Sequence, residues 1–282
     1  MTSAVRATCT MTRALTTGLT ARQALATTGG RARVLARPGG AAFLTAGVEI
    51  VWLGPASAPL HPRAVLVASV PDVEIDEEIY IDVAGCAPWQ PAAAALDARG
   101  VVGARTSWRE LVADIRALGT PGGFGALLGG APLAFPLDAA AGHAGALADA
   151  CARDDAAAAE PAMLALLGLG GGLTPSGDDF VGAALFARQW LAAAGIVDAH
   201  GWRAAAAVVC AAAPSRTHPI SAALLGDLAR GCGHAPLHDL AAALAAGQTA
   251  RARHAAGALV RLGHSSGWDM LAGFGIGLVD AG

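Results

Sequence analysis

The polar residues of this chain gather at three places in its second half. The densest is Gly168-Leu-Gly-Gly-Gly-Leu-Thr-Pro-Ser-Gly-Asp-Asp179, between the apolar run Met163–Leu167 and a helical pattern. Its glycines let the backbone approach a ligand with no Cβ in the way. Thr174, Ser176, Asp178 and Asp179 then load a helix entrance, whose free N–H groups and dipole favour an anion. Gly170, Gly171, Gly172, Thr174, Ser176 and Gly177 are therefore the candidates for holding one. A phosphate and two carboxylates do not share one helix end as bare anions. Either a Mg²⁺ ion lies between them, with Asp178 and Asp179 as ligands, or one aspartate turns to an arginine or a substrate N–H. The simpler alternative is a cap, since Ser176 and Asp179 have capping-box spacing. Capping leaves the glycines and Asp178 unexplained.

The second cluster is Ser215-Arg216-Thr217-His218-Pro219-Ile220-Ser221, between two helical patterns. Ser215, Thr217 and Ser221 offer hydroxyls and Arg216 a bidentate clamp, the groups that hold phosphate at a helix start. Equally, Thr217 or Ser221 caps the following helix. The third is His264-Ser265-Ser266-Gly267-Trp268-Asp269. Here His264 is the candidate for proton transfer and Ser265 and Ser266 for substrate contacts, while Ser266 and Asp269 again have the spacing of a cap. His234 and His238 have helical spacing for a metal, but Pro236 interrupts the helix that would align them.

Composition removes several chemistries. All nineteen basic residues are Arg, and neither Lys nor Asn occurs, so a phosphate-loop lysine, a Schiff base and a catalytic Asn are excluded. A net charge of −3 gives no polyanion-binding surface, so no nucleic-acid partner is expected. The five cysteines are odd in number and scattered, which suits a reducing cytoplasm better than a disulfide framework. No apolar run reaches the length of a membrane span.

The elements that must position these residues follow in order. Residues 1–30, rich in Thr, Ala and Arg and lacking a secretory apolar core, are expected to form an N-terminal arm or helix. Residues 31–90 carry strand patterns at Arg31–Arg37, Ala41–Thr45, Val48–Leu53, Ala64–Val70 and Val73–Val83, a small antiparallel sheet or barrel with the acidic residues between Asp72 and Asp82 on its solvated face. Residues 91–160 connect, with a helix expected over Ser107–Leu118 (Ser107 as its cap) and a glycine-rich loop over Gly119–Gly130. That loop reads as a linker by default, with Phe124 a candidate lid. Residues 161–282 are helical almost throughout, with patterns at Asp179–Ala194, Trp202–Ala213, Ile220–Arg230, Leu237–Ala246, Ala250–Leu262 and Trp268–Val279. The fold class is therefore α+β, a β-rich domain followed by a helical one bearing a small-anion site.

Taken together, the Gly168–Phe180 segment, the Arg-Thr-x-x-Ile-Ser start at 216–221 with Ala-Arg-Gly at 229–231, and Gly-His-Ser-Ser-Gly-Trp-Asp at 263–269 resemble, in that order, the AllH family of oxamate carbamoyltransferase subunits. Gly-Arg-Ala-Arg-Val-Leu-Ala-Arg at 30–37 and Leu-His-Pro at 60–62 resemble its opening strands. The family's Gly-Pro-Gly stands here as Gly-Gly-Gly at 170–172, which loosens the turn. The resemblance implies a cytoplasmic heteromeric enzyme of allantoin catabolism, with an FdrA-like subunit and a third carbamoyltransferase subunit as partners. Such an enzyme exchanges oxalurate and phosphate for oxamate and carbamoyl phosphate. On that expectation Arg216 neutralises phosphate, Asp178 and Asp179 hold amide N–H groups or Mg²⁺, and His264 moves the proton. A scaffold or anion-sensing subunit, and a stand-alone metal-dependent hydrolase, are the alternatives.

Overall fold

A computed structural model describes residues 10–91 and 97–279. The chain divides into two compact units, Met1–Pro91 and Ala92–Gly282. Residues 1–9 of the expected arm, including Cys9, lie outside the described residues.

The first unit contains β1 (Thr10–Gly18), α1 (Leu19–Thr27), β2 (Arg31–Ala36), β3 (Ala42–Ala46), β4 (Glu49–Pro55), β5 (Ala64–Val67), β6 (Glu78–Asp82) and β7 (Pro88–Trp89). The strands run in the order β5-β4-β3-β2-β6-β1-β7, and β5 also pairs with β1. The sheet thus closes on itself, which leaves no long edge unpaired. Alternation is clean in β2 and β6: Ala32 and Val34 face inward between exposed Arg31 and Arg33, and Ile79 and Ile81 inward beside exposed Glu78 and Tyr80.

The unexpected strand is β1, where the sequence suggested an arm. Its Thr, Met and Arg alternate in exposure with little apolar signal, and pairing with β6 and β5 supplies what propensity does not. The sheet is mixed, since β1 runs parallel to β6 and β7, and β4 parallel to β5. The strand expected over Val73–Val83 shortens to β6, because Asp76 takes a left-handed φ of 69°.

The second unit is helical: α2 (Ala98–Ala113), α3 (Ala141–Ala152), α4 (Ala156–Leu166), α5 (Ser176–Ala193), α6 (Ala199–Ala212), α7 (Pro219–Ala229), α8 (Ala235–Ala245), α9 (Thr249–Leu259) and α10 (Ser266–Leu278). The expected cap at Ser107 is not one. Helix α2 starts a turn and more earlier, where Asp97 accepts the Gly100 N–H at 2.7 Å, and Ser107 is buried mid-helix. No described helix is long and apolar enough to cross a membrane.

Helices α5 and α10 are buried on nearly every side and form the axis of this unit. Small residues set their separation. A Cβ on Gly273 would sit 2.0 Å from the Phe180 carbonyl oxygen, and one on Gly277 2.6 Å from that of Ala184. Phe180 thus meets Gly273 and Ala184 meets Gly277, so the two helices run parallel and begin at the same end. Gly273→Ala drives a methyl into a backbone oxygen with no flexible neighbour to yield. The cost expected is about 3 kcal/mol, a fall in Tm of roughly 10 °C by calorimetry. A fall under about 2 °C would show that the contact is slack.

Candidate functional site

Because α5 and α10 run parallel, their first turns lie side by side. Two hydroxyl pairs bridge them: Thr174 Oγ1 with Ser266 Oγ at 3.0 Å, and Ser176 Oγ with Ser265 Oγ at 3.2 Å. The entrance of α7 joins through Asp178. Its Oδ1 accepts the Gly168 N–H at 2.8 Å, and its Oδ2 accepts the hydroxyls of Thr217 and, at 2.6 Å, Ser221. The three polar clusters of the sequence therefore meet at one place.

The expected caps are not what these residues do. No side chain caps α5 or α10, where Ser176 and Ser266 are the first helical residues, and α7 is capped by His218, whose Nδ1 accepts the Ile220 N–H at 3.2 Å. Thr217 and Ser221 are spent on Asp178. Those three donors engage both Asp178 oxygens and tie the carboxylate to the glycine turn and to α7. Among the described residues no three His, Cys, Asp or Glu side chains come together as a metal site. Mg²⁺ ligation by Asp178, as expected with Asp179, would compete with these three hydrogen bonds. His234 and His238 are half-buried, and loss of water pushes both down to about 4; His238 Nε2 accepts the Gly233 N–H at 2.9 Å.

Beneath the hydroxyl pairs lie two carboxyl groups, Asp179 at 5% and Asp269 at 0% exposure. Asp269 Oδ1 accepts the Phe124 N–H at 2.6 Å. Gly123, at φ 52°, makes this approach possible, since a Cβ there would fall 2.1 Å from that oxygen. The Oδ2 atoms of both carboxyls are buried without a partner. Ser266 comes near enough to Asp179, and Ser176 and Ser265 to Asp269, to favour the ionised forms, yet none donates to Oδ2 in hydrogen-bond geometry. Burial dominates. It raises Asp269 to about 6, and raises Asp179 well above the ordinary carboxylate range with help from the charges of Asp269 and Asp178. An unpaired buried charge is costly, so burial favours the protonated form of both groups, in Asp269 up to about pH 6.

The remaining candidates divide. Gly171 and Gly172 are exposed, with open space where a side chain would be, and Gly170 folds over the Ser176 N–H. Gly177 is a packing residue, pressed against the Leu166 carbonyl. His264 is exposed on the rim. Arg216 is exposed too, and its Nη1 donates to the Leu164 carbonyl at 2.9 Å, at the end of α4. Ser215, also exposed, closes the end of α6 by donating to the Ala212 carbonyl at 2.9 Å. Phe124 is not a lid: it is fully buried and stacks on Phe180 at 4.4 Å. Its loop, expected as a linker, instead holds Asp269 through a short 3-10 helix, Gly123–Gly129. A separate cleft of ≈ 450 Å³ opens among Arg116, Thr120, Pro121 and Ala131, and none of the polar groups above lines it.

Two features escaped the sequence. Asp269 read only as a cap, although it repeats the position of Asp179, fourth in a helix that opens with serine. The Phe124 N–H carried no signal, being 145 residues from its acceptor.

The buried acids give the fold a pH dependence of defined sign. Both bind protons more tightly in the folded chain, so the stability they confer is complete below about pH 4 and is lost as the pH rises through their folded values. For Asp269, the rise from 3.8 to about 6 corresponds to about 3 kcal/mol. The Tm should fall between pH 4 and 7, and Asp269→Asn, which keeps the acceptor for Phe124, should flatten that fall. An unaltered slope in this variant and in Asp179→Asn would show that other groups set it.

No curated protein and no solved structure matches the chain. Residues 166–278, from the end of α4 to the end of α10, match the model of the family described as oxamate carbamoyltransferase subunit AllH. The match takes in all three polar entrances and both buried acids, and over these residues the chain is similar to that family.

Proposed function

We propose that this chain is a subunit of an oxamate carbamoyltransferase, and that the joined entrances of α5, α7 and α10 hold an anionic substrate during carbamoyl transfer. The observation that carries this reading is the pair of buried, unpartnered carboxyl oxygens under a layer of four hydroxyls, within the family match. Below about pH 6, where both protons are retained, Asp179 and Asp269 do not oppose an anion, and the helix dipoles favour one.

The chemistry is then positional. A phosphate oxygen attacks the ureido carbonyl of oxalurate, and the carbon–nitrogen bond to the oxamate nitrogen breaks. That nitrogen takes a proton, giving oxamate and carbamoyl phosphate. Thr174, Ser176, Ser265 and Ser266 with the Gly170–Gly172 backbone stabilise the oxyanion between these steps. Arg216 offers its guanidinium to phosphate, and His264 supplies the proton to the departing nitrogen. An FdrA-like subunit and a third subunit complete the enzyme, which serves purine-nitrogen (allantoin) catabolism in the cytoplasm.

A scaffold or anion-sensing role is the second reading. It is favoured by Asp178 and Gly177, motif residues committed to holding helices together. The two separate on phosphorolysis of oxalurate by the chain alone and with its two partner subunits. Ser265→Ala with Ser266→Ala should lower turnover about 100-fold with assembly intact, the scale of lost oxyanion donors. Unchanged turnover with impaired assembly establishes the scaffold instead.

A further inference from the structure

The hydroxyl layer and the carboxyls beneath it are unequal partners. Each hydroxyl of Thr174, Ser176, Ser265 and Ser266 has one proton and two lone pairs; in each pair one proton lies between the two oxygens, and the other points either down toward the acids or out of the layer. Which way it points decides whether the layer meets a ligand with donors or with acceptors. The four hydroxyls form two pairs across the two helix entrances, at 3.0 and 3.2 Å, so the two members of each pair turn together. Below them, Asp179 Oδ2 and Asp269 Oδ2 are buried and unpartnered in side chains more than nine-tenths buried, the independent sign that polar capacity here has been left open.

We propose that Asp179 and Asp269 are positioning residues that set the polarity of this hydroxyl layer, so that with both acids protonated it presents O–H donors to a carboxylate or phosphate. A protonated carboxyl donates its own hydrogen upward to a seryl oxygen, and the seryl hydrogen is left to point outward. An ionised carboxyl pulls the seryl hydrogens down and turns lone pairs outward, which repel an anion. The device rests on the anion reading of the site given above. It adds that the acids act through the serines, without touching the ligand, and that they select the charge of what binds.

The electrostatic surroundings support this direction. The charged groups acting on the pair, among the described residues, are the two acids themselves and Asp178, all negative when ionised, so protonation is favoured. The segment Gly123–Gly129 packed on α10 carries no titratable side chain. The charged side chains of α3 and α9 next to α10, among them Asp149, Arg251 and Arg253, are exposed. Arg105 of α2 and Arg188 of α5 lie at the far end, on the carbonyls of Leu278 and Gly277. Arg216 and His264 sit on the exposed rim.

The test uses sulfate, whose charge does not change across the range, titrated calorimetrically into the full chain from pH 5 to 8.5. Affinity of the wild-type chain should fall at least tenfold from pH 5.5 to 8. Asp269→Asn carries an amide N–H that donates to serine at every pH and an oxygen that still accepts from Phe124. It should keep the low-pH affinity and lose the pH profile. The double variant Ser265→Ala, Ser266→Ala should bind weakly throughout, and its Tm confirms that it folds. A flat wild-type profile, absent sulfate binding at pH 5.5, or an Asp269→Asn variant that retains the wild-type slope overturns the proposal. Turnover of oxalurate in the assembled enzyme is scored separately. Turnover without the sulfate pattern sinks this inference alone, and the sulfate pattern without turnover sinks the carbamoyltransferase reading alone.

Discussion

The backbone contact between α5 and α10 is the constraint on which the helical unit depends. Gly273 against the Phe180 carbonyl and Gly277 against that of Ala184 bring two parallel helices so close that not even a methyl has room at these positions. Parallel helices add their dipoles, which is unfavourable unless something at the shared ends offsets them. At the shared start stand Asp178, Asp179 and Asp269. The acids therefore have a reason to be there that precedes any ligand: negative groups, or acceptors at least, stabilise the positive ends of α5 and α10.

The three acids answer that demand in different ways. Asp178 is satisfied completely, by one N–H and two hydroxyls, and ties the glycine turn and the start of α7 to α5. Asp269 is satisfied on one oxygen, by the Phe124 N–H that Gly123 lets approach. Asp179 lies deep against both of them. A core selected only for stability would satisfy every one of these oxygens or replace the residues with apolar ones, because an orphaned buried polar atom costs on the order of 1–3 kcal/mol. Two orphans directly under hydroxyls that meet across the entrance mark this end of the helix pair as a place where stability has been given up.

Much of this was legible in the sequence because it is local. Glycine turns, hydroxyls and paired acids crowd the starts of helical patterns, and the helices from α5 to α10 fall within a few residues of their apolar periodicities. Strands β2 to β5 were equally visible, each bounded by Gly or Pro. What misled was also local. The S-x-x-D spacing at Ser176 and Ser266 matches a capping box, but both serines lie inside their helices and turn to each other's entrance. Ser107 looked like a cap because Glu110 follows it, although the stronger cap, Asp97, lay ten residues earlier.

The sequence by itself determined the α+β order of the two regions, the absence of lysine and asparagine chemistry, and the three stretches where a small anion could be held. Those properties reside in composition and short-range pattern, which do not need the chain to be folded. Tertiary structure alone decided that the three stretches meet, that β1 closes a barrel, and that Asp178 is a latch while Asp179 and Asp269 remain unsatisfied. These follow from contacts between residues far apart in the chain, such as Phe124 with Asp269 and Thr217 with Asp178, and nothing in the local pattern of either partner specifies the other.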